Sequence, residues 1–439
     1  MKIWLTLTAM MTLFQAQSSM AQTFKTERWQ TQNGARVVFY KAMEVPMLDI
    51  NMAFAAGSAY DGSHFGLSTL TTQLLSQGTY QLNATQIAEQ FADIGAQFNE
   101  SVSRDMVVLQ LKTLTKEDAL QKSVDTLASI VSKPAFRQEA FNREKNQQLA
   151  AITQMQESPN DVANLVFFNK LYQQHPYAHS VQGTIESVKA IKSSQVREFY
   201  KRFFVAKNAV IVIVGAVDSE KAHKLAEQLT KSLPQGQEAP PVPKATQLTA
   251  GENVSINFPS SQTMLRIGQV GIDHTAPDYF PLMIGNYILG GGSLVSRLSH
   301  EVREKRGLTY GVDSQLMPMP GNGSFLISLS TQNKQATTAL KITEETLSGI
   351  LASGPNEEEL QAAKQYMIGS FPLSLASNGS IAGMLLRISF YHLPDDYLDT
   401  YTARISAVSV DDIKKAFKNL IHPDKMLYVS VGSSQQTTS

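Results

Sequence analysis

The 439-residue chain contains no cysteine, which excludes disulfide bonds, thiol nucleophiles and lipid attached at a cleavage-site cysteine. It also lacks net charge, because 38 lysines and arginines match 38 aspartates and glutamates. Without basic runs, the chain offers no positively charged surface for binding nucleic acid. No stretch beyond the N-terminus reaches the roughly 20 apolar residues of a membrane-spanning helix. The Gly-x-Ser-x-Gly pattern of serine hydrolases is missing as well.

The first residues have the features of a secretory signal. Lys2 supplies a positive start, residues 3–14 form a mostly apolar run, and Ser19 and Ala21 are small residues where a signal peptidase reads the chain. We predict that residues 1–21 are a signal peptide and that Gln22 is the mature N-terminus. An exported chain without cysteine suits a soluble periplasmic protein of a Gram-negative bacterium.

A proline-rich segment predicts two domains. Four prolines fall within residues 234–243, and such a segment stays extended and joins domains. The chain that remains after signal removal is too long for one ordinary core. The predicted boundaries are an N-terminal domain over residues 22–232, a linker over 233–247 and a C-terminal domain over 248–439.

The two predicted domains repeat one order of elements. In each half an alternating strand precedes a long helix, a break and a second helix. In the first half the strand is 107–111, the long helix 116–131, and the second helix begins near Gln138. In the second half the strand is 325–329, the long helix 334–351, and the second helix begins near Glu357. Further strands are predicted at 36–40, 48–55 and 210–214, the last a continuous apolar run typical of a buried strand. The pattern predicts an α+β fold used twice, each copy an antiparallel-rich sheet packed with helices.

Residues 66–79 read Gly-Leu-Ser-Thr-Leu-Thr-Thr-Gln-Leu-Leu-Ser-Gln-Gly-Thr. They resemble the active-site helix of the insulinase/pitrilysin family of zinc peptidases, which includes the mitochondrial processing peptidase and reads roughly Gly-Leu-Ala-His-x-x-Glu-His-Met before a Gly-Thr. The resemblance puts the first metal His at Thr69, the general-base Glu at Thr72 and the second metal His at Gln73. Hydroxyl and amide groups are poor zinc ligands and cannot act as bases near neutral pH.

The resemblance also implies a third zinc ligand, a Glu on a later helix shortly before an acidic-Ser-Pro sequence. Residues 157–159 supply that sequence, and counting back puts the ligand at Ala151 and a supporting Glu at Lys145. The resemblance therefore implies an insulinase-like fold whose zinc site is degenerate, with no metal on this chain.

Similarity to this family extends over both halves in the right order. The segments that carry it are 55–61 before the metal helix, a His-Pro-Tyr and Gly-Thr-x-Glu-Ser region over 175–188, 199–215, and the glycine-rich 289–298 leading into 303–310.

Arg303 and Tyr310 resemble the pair with which this family binds the substrate backbone near the zinc of a facing domain. Arg303 is predicted in the last turn of a helix that Gly307 ends, and Tyr310 at the start of a strand, so that their tips can converge. The alternative treats residues 301–306 as a solvated, mixed-charge helix end, with Arg303 serving the helix dipole.

Gly290, Gly291 and Gly292 form the other candidate binding element. They lack the Lys of a phosphate-binding loop, which argues against nucleotide binding. Bare backbone permits another chain to approach closely, and Ser293 is a predicted helix N-cap. The alternative is a tight strand-to-helix turn.

His175 and His179 have the i, i+4 spacing of a zinc pair on a helix, but Pro176 and Tyr177 lie between them. We therefore favour a structural His beside a turn over a metal site.

Short members of this family work as two-chain assemblies, some made of one chain with the zinc helix and another with the Arg–Tyr pair. We predict that this chain is the non-catalytic, peptide-binding subunit and that a homologous partner with an intact His-x-x-Glu-His carries the zinc. The alternative is a stand-alone peptide-binding or structural protein without hydrolysis. Catalysis by this chain alone is disfavoured.

Overall fold

The computed structural model describes residues 24–433, so the predicted signal peptide lies outside the described residues. Two β-sheets carry helices on both faces, and the core divides into two large clusters, one per sheet, and two smaller ones between the halves. Among residues 24–433, no helix combines the length and the apolar character needed to cross a membrane.

Six strands form the first sheet: β1 Thr26–Gln30, β2 Arg36–Lys41, β3 Met47–Phe54, β4 Gln97–Val102, β5 Val107–Leu114 and β6 Ala209–Gly215. Their order is β1-β2-β6-β3-β5-β4. Strands β2 and β6 are parallel and every other neighbouring pair is antiparallel. Every residue of β6 is buried, because the strand is interior and helices cover both faces, as its apolar run predicts.

The second sheet repeats this topology. Its strands are β7 Glu252–Asn257, β8 Gln262–Val270, β9 Val312–Met317, β10 Ser324–Gln332 and β11 Leu427–Gly432, in the order β7-β11-β8-β10-β9. Strands β7 and β11 are parallel and the rest antiparallel, so the five strands match β2, β6, β3, β5 and β4 in turn. The predicted duplicated α+β fold is confirmed, with β1 as an extra edge strand.

Fourteen α-helices connect the described strands. Those before β7 are α1 Leu67–Leu75, α2 Ala84–Ala92, α3 Glu117–Ser132, α4 Gln138–Gln156, α5 Pro159–Tyr172, α6 Ile185–Ala190, α7 Ser193–Phe203 and α8 Ser219–Thr230. The remainder are α9 Tyr279–Asn286, α10 Ala336–Ser353, α11 Glu357–Ser370, α12 Asn378–Phe390, α13 Tyr397–Ala407 and α14 Val410–Leu420. The paired helices predicted in each half are α3 with α4 and α10 with α11.

The two halves exchange one helix each. Helix α5 belongs to the first half by sequence but packs on β8 and β11, where Phe167 is fully buried. Helix α12 of the second half packs in the same way on β6 and β3 of the first sheet. Buried Arg266 of β8 donates hydrogen bonds to Asn160 and Asn164 of α5, at 2.5 and 2.7 Å. Both exchanged helices therefore lie across the predicted domain boundary.

The segment between α8 and β7 contains no helix or strand. It is nevertheless packed, since Leu233, Ala245 and Leu248 are buried and the Ala245 N–H donates to the Gly321 carbonyl at 2.8 Å. The segment thus packs against both halves, its start on the first and its end on the second, and is not a free tether.

A buried carboxylate joins elements of both halves. Asp105, in the β4–β5 turn, accepts hydrogen bonds from the hydroxyls of Tyr177 at 2.6 Å and Tyr391 at 3.1 Å. The Tyr177 hydroxyl in turn accepts from the N–H of Gly321 in the β9–β10 turn, at 3.1 Å. Tyr391 follows α12 directly, so the network fixes the exchanged helix and both hairpins.

Candidate functional site

Helix α1 holds the positions that the family resemblance assigns to zinc and base. Its N-terminus is fixed by Asp61, whose carboxylate accepts the N–H groups of Gly66 and Ser68, both at 2.7 Å. A carboxylate here satisfies orphan helix donors and complements the helix dipole. The helix is therefore well formed although its metal donors are absent.

Thr69 and Thr72 are both buried, and each hydroxyl is used in structure. Thr69 Oγ1 donates to the Val181 carbonyl at 2.7 Å, and Thr72 Oγ1 donates to the Ser68 carbonyl one turn back at 2.8 Å. Gln73 is only partly buried, and its Oε1 has no hydrogen-bond partner among the described residues. None of these side chains supplies the imidazole, thiolate or carboxylate that zinc requires.

Helix α4 supplies the other wall, and the structure brings Gln148 to α1. Gln148 is almost fully buried, and its Nε2 donates to the carbonyls of Gly66 at 3.0 Å and Gln182 at 2.8 Å. Lys145 instead turns away to donate to the carbonyls of Lys189 and Ile191, at 2.7 and 2.9 Å.

Ala151 is half-buried, and a methyl side chain cannot ligate a metal. Together with the polar but uncharged groups at Thr69, Thr72 and Gln73, it leaves the site without a set of zinc donors. Residues 24–433 also contain no group of three or more His, Cys, Asp or Glu side chains arranged to hold a metal ion. The residues present at the family position therefore do not fit zinc.

Sequence reasoning missed two acids beside this site, Glu100 and Glu144. Glu100 lies on β4 and its Oε1 accepts a hydrogen bond from Ser76 Oγ of α1 at 3.3 Å. Burial raises the pKa of Glu100 to about 8; the Ser76 bond acts against this and the negative charge of Glu144 adds to it. Glu144, on the buried face of α4, pairs with Arg143 at 3.2 Å. Neither acid belongs to a motif, so locating them requires knowing how β4 packs against the helices.

The glycine-rich segment adopts a helical turn, which corrects the strand-to-helix turn considered above. Residues Tyr287–Gly291 continue α9 as a π-helix, which packs on β9. A Cβ at Gly290 would lie 2.5 Å from the Ser314 backbone nitrogen of β9, and one at Gly291 would lie 2.9 Å from the amide nitrogen of Asn286. The close approach that the structure shows is therefore made within the chain.

The predicted N-cap role of Ser293 is wrong. Gly292 precedes the short 3-10 turn Ser293–Val295, and no side chain caps it. Ser293 has a φ of +54°, and its carbonyl accepts the Ser296 hydroxyl at 2.7 Å. Gly292 itself lies against Tyr287. A Cβ at position 292 would lie 2.9 Å from the Tyr287 carbonyl oxygen. The tight turn explains this small residue without any ligand.

Arg303 lies in the last turn of a second π-helix, Ser299–Glu304, and Gly307 with a φ of +59° follows it, as predicted. Its charged neighbours are paired: Glu301 with both Lys305 and Arg306, and His300 with Glu304. The Arg303 side chain is half-buried and makes no hydrogen bond or ion pair with any residue of 24–433. The mixed-charge helix end therefore exists, but Arg303 takes no part in its ion pairs.

Tyr310 precedes β9 by two residues, so it does not begin the strand as predicted. Its side chain is 86% exposed and has no hydrogen-bond partner in the described chain. The backbone beneath it is fixed, because Thr309 Oγ1 donates to the carbonyls of Gly311 at 2.7 Å and Ser330 at 2.6 Å. An aromatic ring held out on an anchored corner is suited to contact a ligand or another chain.

His175 and His179 lie in a turn region and not on a helix, as predicted. His175 Nδ1 accepts the Tyr177 N–H at 3.1 Å, and its Nε2 lies 2.8 Å from the Pro243 carbonyl. His179 is stacked on Phe65 with ring centroids 4.2 Å apart, and burial lowers its pKa. The two rings serve packing of the turn.

Comparison with known proteins agrees with this geometry. Residues 36–185 match the family described as insulinase (peptidase family M16), and residues 190–367 match the peptidase M16 inactive domain. The chain is 26% identical over 388 residues to the "non-peptidase homolog YmxG" of Helicobacter pylori, covering 87% of this chain and 88% of that protein. It is 28% identical over 336 residues to an "uncharacterized zinc protease" of Rickettsia felis, covering 76% and 80%.

A solved structure extends the likeness to the whole fold. The crystal structure of a peptidase M16 inactive domain from Pseudomonas fluorescens superposes with a TM-score of 0.90 at 36% sequence identity. The superposition covers 93% of this chain and 98% of that one.

Proposed function

Because the chain belongs to the insulinase family, peptidase family M16, we propose that it is the non-catalytic, peptide-binding subunit of a periplasmic heteromeric zinc metallopeptidase. Hydrolysis belongs to a homologous partner that has the His-x-x-Glu-His helix. The proposal assigns peptide binding to this chain and catalysis to none of its residues alone.

The observation that carries the proposal is the contrast between two sites. Thr69, Thr72 and Gln73 offer zinc no donor, whereas the side chains of Arg303 and Tyr310 carry donor groups that have no partner among residues 24–433. The Arg303 guanidinium therefore remains available to a ligand, whereas the charged side chains around it are paired with one another. The names of two relatives, a non-peptidase homolog and an inactive domain, agree with a chain of this kind.

The two side chains suit the backbone of an extended peptide. Arg303 offers five N–H donors in a planar fork, and Tyr310 offers one hydroxyl. Donors of this kind bind a peptide carbonyl and stabilise the negative charge that grows on its oxygen when a partner hydrolyses the bond. The peptide itself can add to β4, which pairs only with β5 within residues 24–433.

The first test is to isolate the tagged mature protein from its native periplasm and identify the accompanying chains by mass spectrometry. We expect a near-stoichiometric companion that carries His-x-x-Glu-His. Recovery of this chain alone, or with itself only, would contradict the heteromer and favour the alternative, a stand-alone peptide-binding protein.

The second test concerns the two residues. In the reconstituted complex, Arg303→Ala and Tyr310→Phe should each lower kcat/KM for a fluorogenic peptide by about tenfold or more, since a hydrogen bond to a developing charge contributes about 1.5–3 kcal/mol. The matched controls are Arg306→Ala, which removes an exposed guanidinium paired with Glu301, and Tyr366→Phe, which changes another exposed tyrosine. Unchanged turnover in both test variants, with assembly intact, would refute the assignment.

A further inference from the structure

Three elements of the first half bring unpaired acceptor atoms to the degenerate zinc site. These are Gln73 Oε1 of α1, Glu100 Oε2 of β4 and Gln148 Oε1 of α4, and each is buried without a hydrogen-bond partner in the described chain. Gln148 is only 1% exposed. Buried polar atoms in native proteins are ordinarily paired, so a cluster of unpaired acceptors points to a ligand that donates hydrogen bonds.

The alignment of the two helices places these atoms together. Arg143 Nη2 of α4 donates to Gln77 near the end of α1 at 2.7 Å, and Gln148 reaches Gly66 at its start, so the helices run antiparallel. Gln73 lies between these two contacts along the chain and four residues before Gln77, so we infer that its side chain is on the face of α1 that is directed towards α4. Gln148 Nε2 is engaged with Gly66, and a helical side chain leans over the preceding turn, so its free Oε1 lies on the side of Glu144.

Glu100 closes the site from the edge strand. Its Oε1 accepts a hydrogen bond from Ser76, which directly follows α1 and stands three residues after Gln73, so the carboxylate is held against the end of the helix. The negative charge of Glu144 raises the pKa of Glu100, which indicates that the two carboxylates lie close enough to interact. The site therefore combines two acids with two amide oxygens.

We propose that this acceptor cluster binds one cationic amine of a peptide, either its amino terminus or the side chain of a lysine. An ammonium group has three N–H donors and no acceptor, which suits a site that offers unpaired oxygens. The inference rests on the proposed peptide-binding function but uses a different half of the chain from Arg303 and Tyr310.

The charges at the site favour a monovalent cation over a metal. Glu144 is already paired with Arg143, which leaves Glu100 as the unpaired carboxylate of the site. A cation bound beside Glu100 favours its charged form, although burial raises its pKa to about 8. The remaining single charge matches one ammonium and leaves a divalent ion uncompensated. Burial of a charge is tolerated when it is paired in this way.

The experiment is calorimetric titration of the isolated mature chain with three probes at pH 7.5, where peptide amino termini and lysine side chains are both mostly protonated. The first is Ala-Ala-Ala amide with a free amino terminus, the second is acetyl-Ala-Lys-Ala amide, and the third is the neutral acetyl-Ala-norleucine-Ala amide. We expect at least one of the charged probes to bind about tenfold or more tightly than the neutral one, and the preferred probe identifies the source of the amine.

Variants locate the binding. Glu100→Gln and Glu144→Gln, which keep shape and remove charge, should each abolish the preference for the charged probe. Glu139→Gln, an exposed acid on the same helix α4, is the matched control and should leave it unchanged. Melting curves of each variant verify folding. Peptide turnover by the reconstituted complex with Arg303→Ala tests the proposed function separately from the amine site.

Three results would overturn the inference. They are equal affinity for the charged and neutral probes, the absence of binding by either charged probe up to solubility, and a preference that survives both acid variants. Binding of zinc or calcium at one ion per chain, lost in Glu100→Gln, would assign the cluster to a metal instead.

Discussion

The network around Asp105 makes a quantitative prediction about how the two halves hold together. Tyr391→Phe removes the hydroxyl that donates to Asp105 at 3.1 Å but keeps the ring, which stacks on His274 at 3.9 Å. A hydrogen bond to a charged group contributes about 1.5–3 kcal/mol, and a length of 3.1 Å favours the lower end of that range. We therefore expect Tyr391→Phe to lower the free energy of unfolding by about 1.5 kcal/mol. Asp105→Ala removes the Tyr177 bond as well, and we expect a loss of about 3–6 kcal/mol in the free energy of unfolding.

The assay is urea denaturation of the mature chain. Once residues 1–21, which contain Trp4, are left out, the remaining tryptophan is Trp29 on β1. Its fluorescence therefore reports the first sheet, while far-UV circular dichroism reports helices of both halves. In the wild type the two signals should change together, because Asp105 connects the halves. In Asp105→Ala they should separate, and Tyr366→Phe, which alters an exposed tyrosine, is the control. Coincident transitions and an unchanged midpoint in both test variants would refute the reasoning.

Two further predictions concern the candidate sites. The raised pKa of Glu100, about 8, means that its protonated form supports the fold below its ordinary value of 4.5 and that this support is lost as the pH rises through 8. The melting temperature of the wild type relative to Glu100→Gln should therefore fall between pH 5 and pH 9; a constant difference would contradict this. Gly290→Ala would force a Cβ to within 2.5 Å of the Ser314 nitrogen and should destabilise by about 1–3 kcal/mol. Gly349→Ala in α10, where a Cβ meets nothing within 4 Å, should instead stabilise by about 1 kcal/mol, and equal melting temperatures for the two variants would refute the packing role of Gly290.

The sequence sufficed for the elements and their repetition. The apolar run at 210–214 is buried on both faces in β6, and the second helix of each pair begins at the predicted Gln138 and Glu357. It did not suffice for the exchange of α5 and α12. An apolar helix face indicates that the helix packs against another element, but it does not indicate which sheet. Because the fold is duplicated, both sheets present similar strands on which such a helix can pack.

The glycine-rich segment shows the same limit at smaller scale. Three consecutive glycines indicate close backbone contact, but the partner of that contact depends on tertiary structure. Here the partner is Ser314 of β9, 24 residues after Gly290. Counting residues along α4 likewise does not determine which side chain faces α1, since one residue along a helix turns the side chain by about 100°. The assignment of the third ligand position to Ala151 therefore stays a prediction.

The third ligand position can be tested by rebuilding the zinc site. Thr69 and Gln73 stand three and seven residues after Gly66, so they share one face of α1 with this N-cap residue, whose carbonyl Gln148 contacts. Because α4 runs antiparallel to α1 and Gln148 contacts Gly66, we expect Ala151, three residues further along α4, to lie beyond the start of α1. We therefore expect one zinc per chain when Thr69→His and Gln73→His are combined with Gln148→Glu, since two imidazoles and a carboxylate are an established zinc set.

The same two histidines combined with Ala151→Glu should bind zinc no better than the histidines alone, because a carboxylate at position 151 lies beyond the start of α1. Equilibrium dialysis followed by elemental analysis gives the stoichiometry, and circular dichroism verifies that each triple variant folds. If zinc were retained with Glu at position 151 and not with Glu at 148, the count from residues 157–159 would be right. The contact between Gln148 and Gly66 would then be a packing contact that says nothing about the metal position of the family.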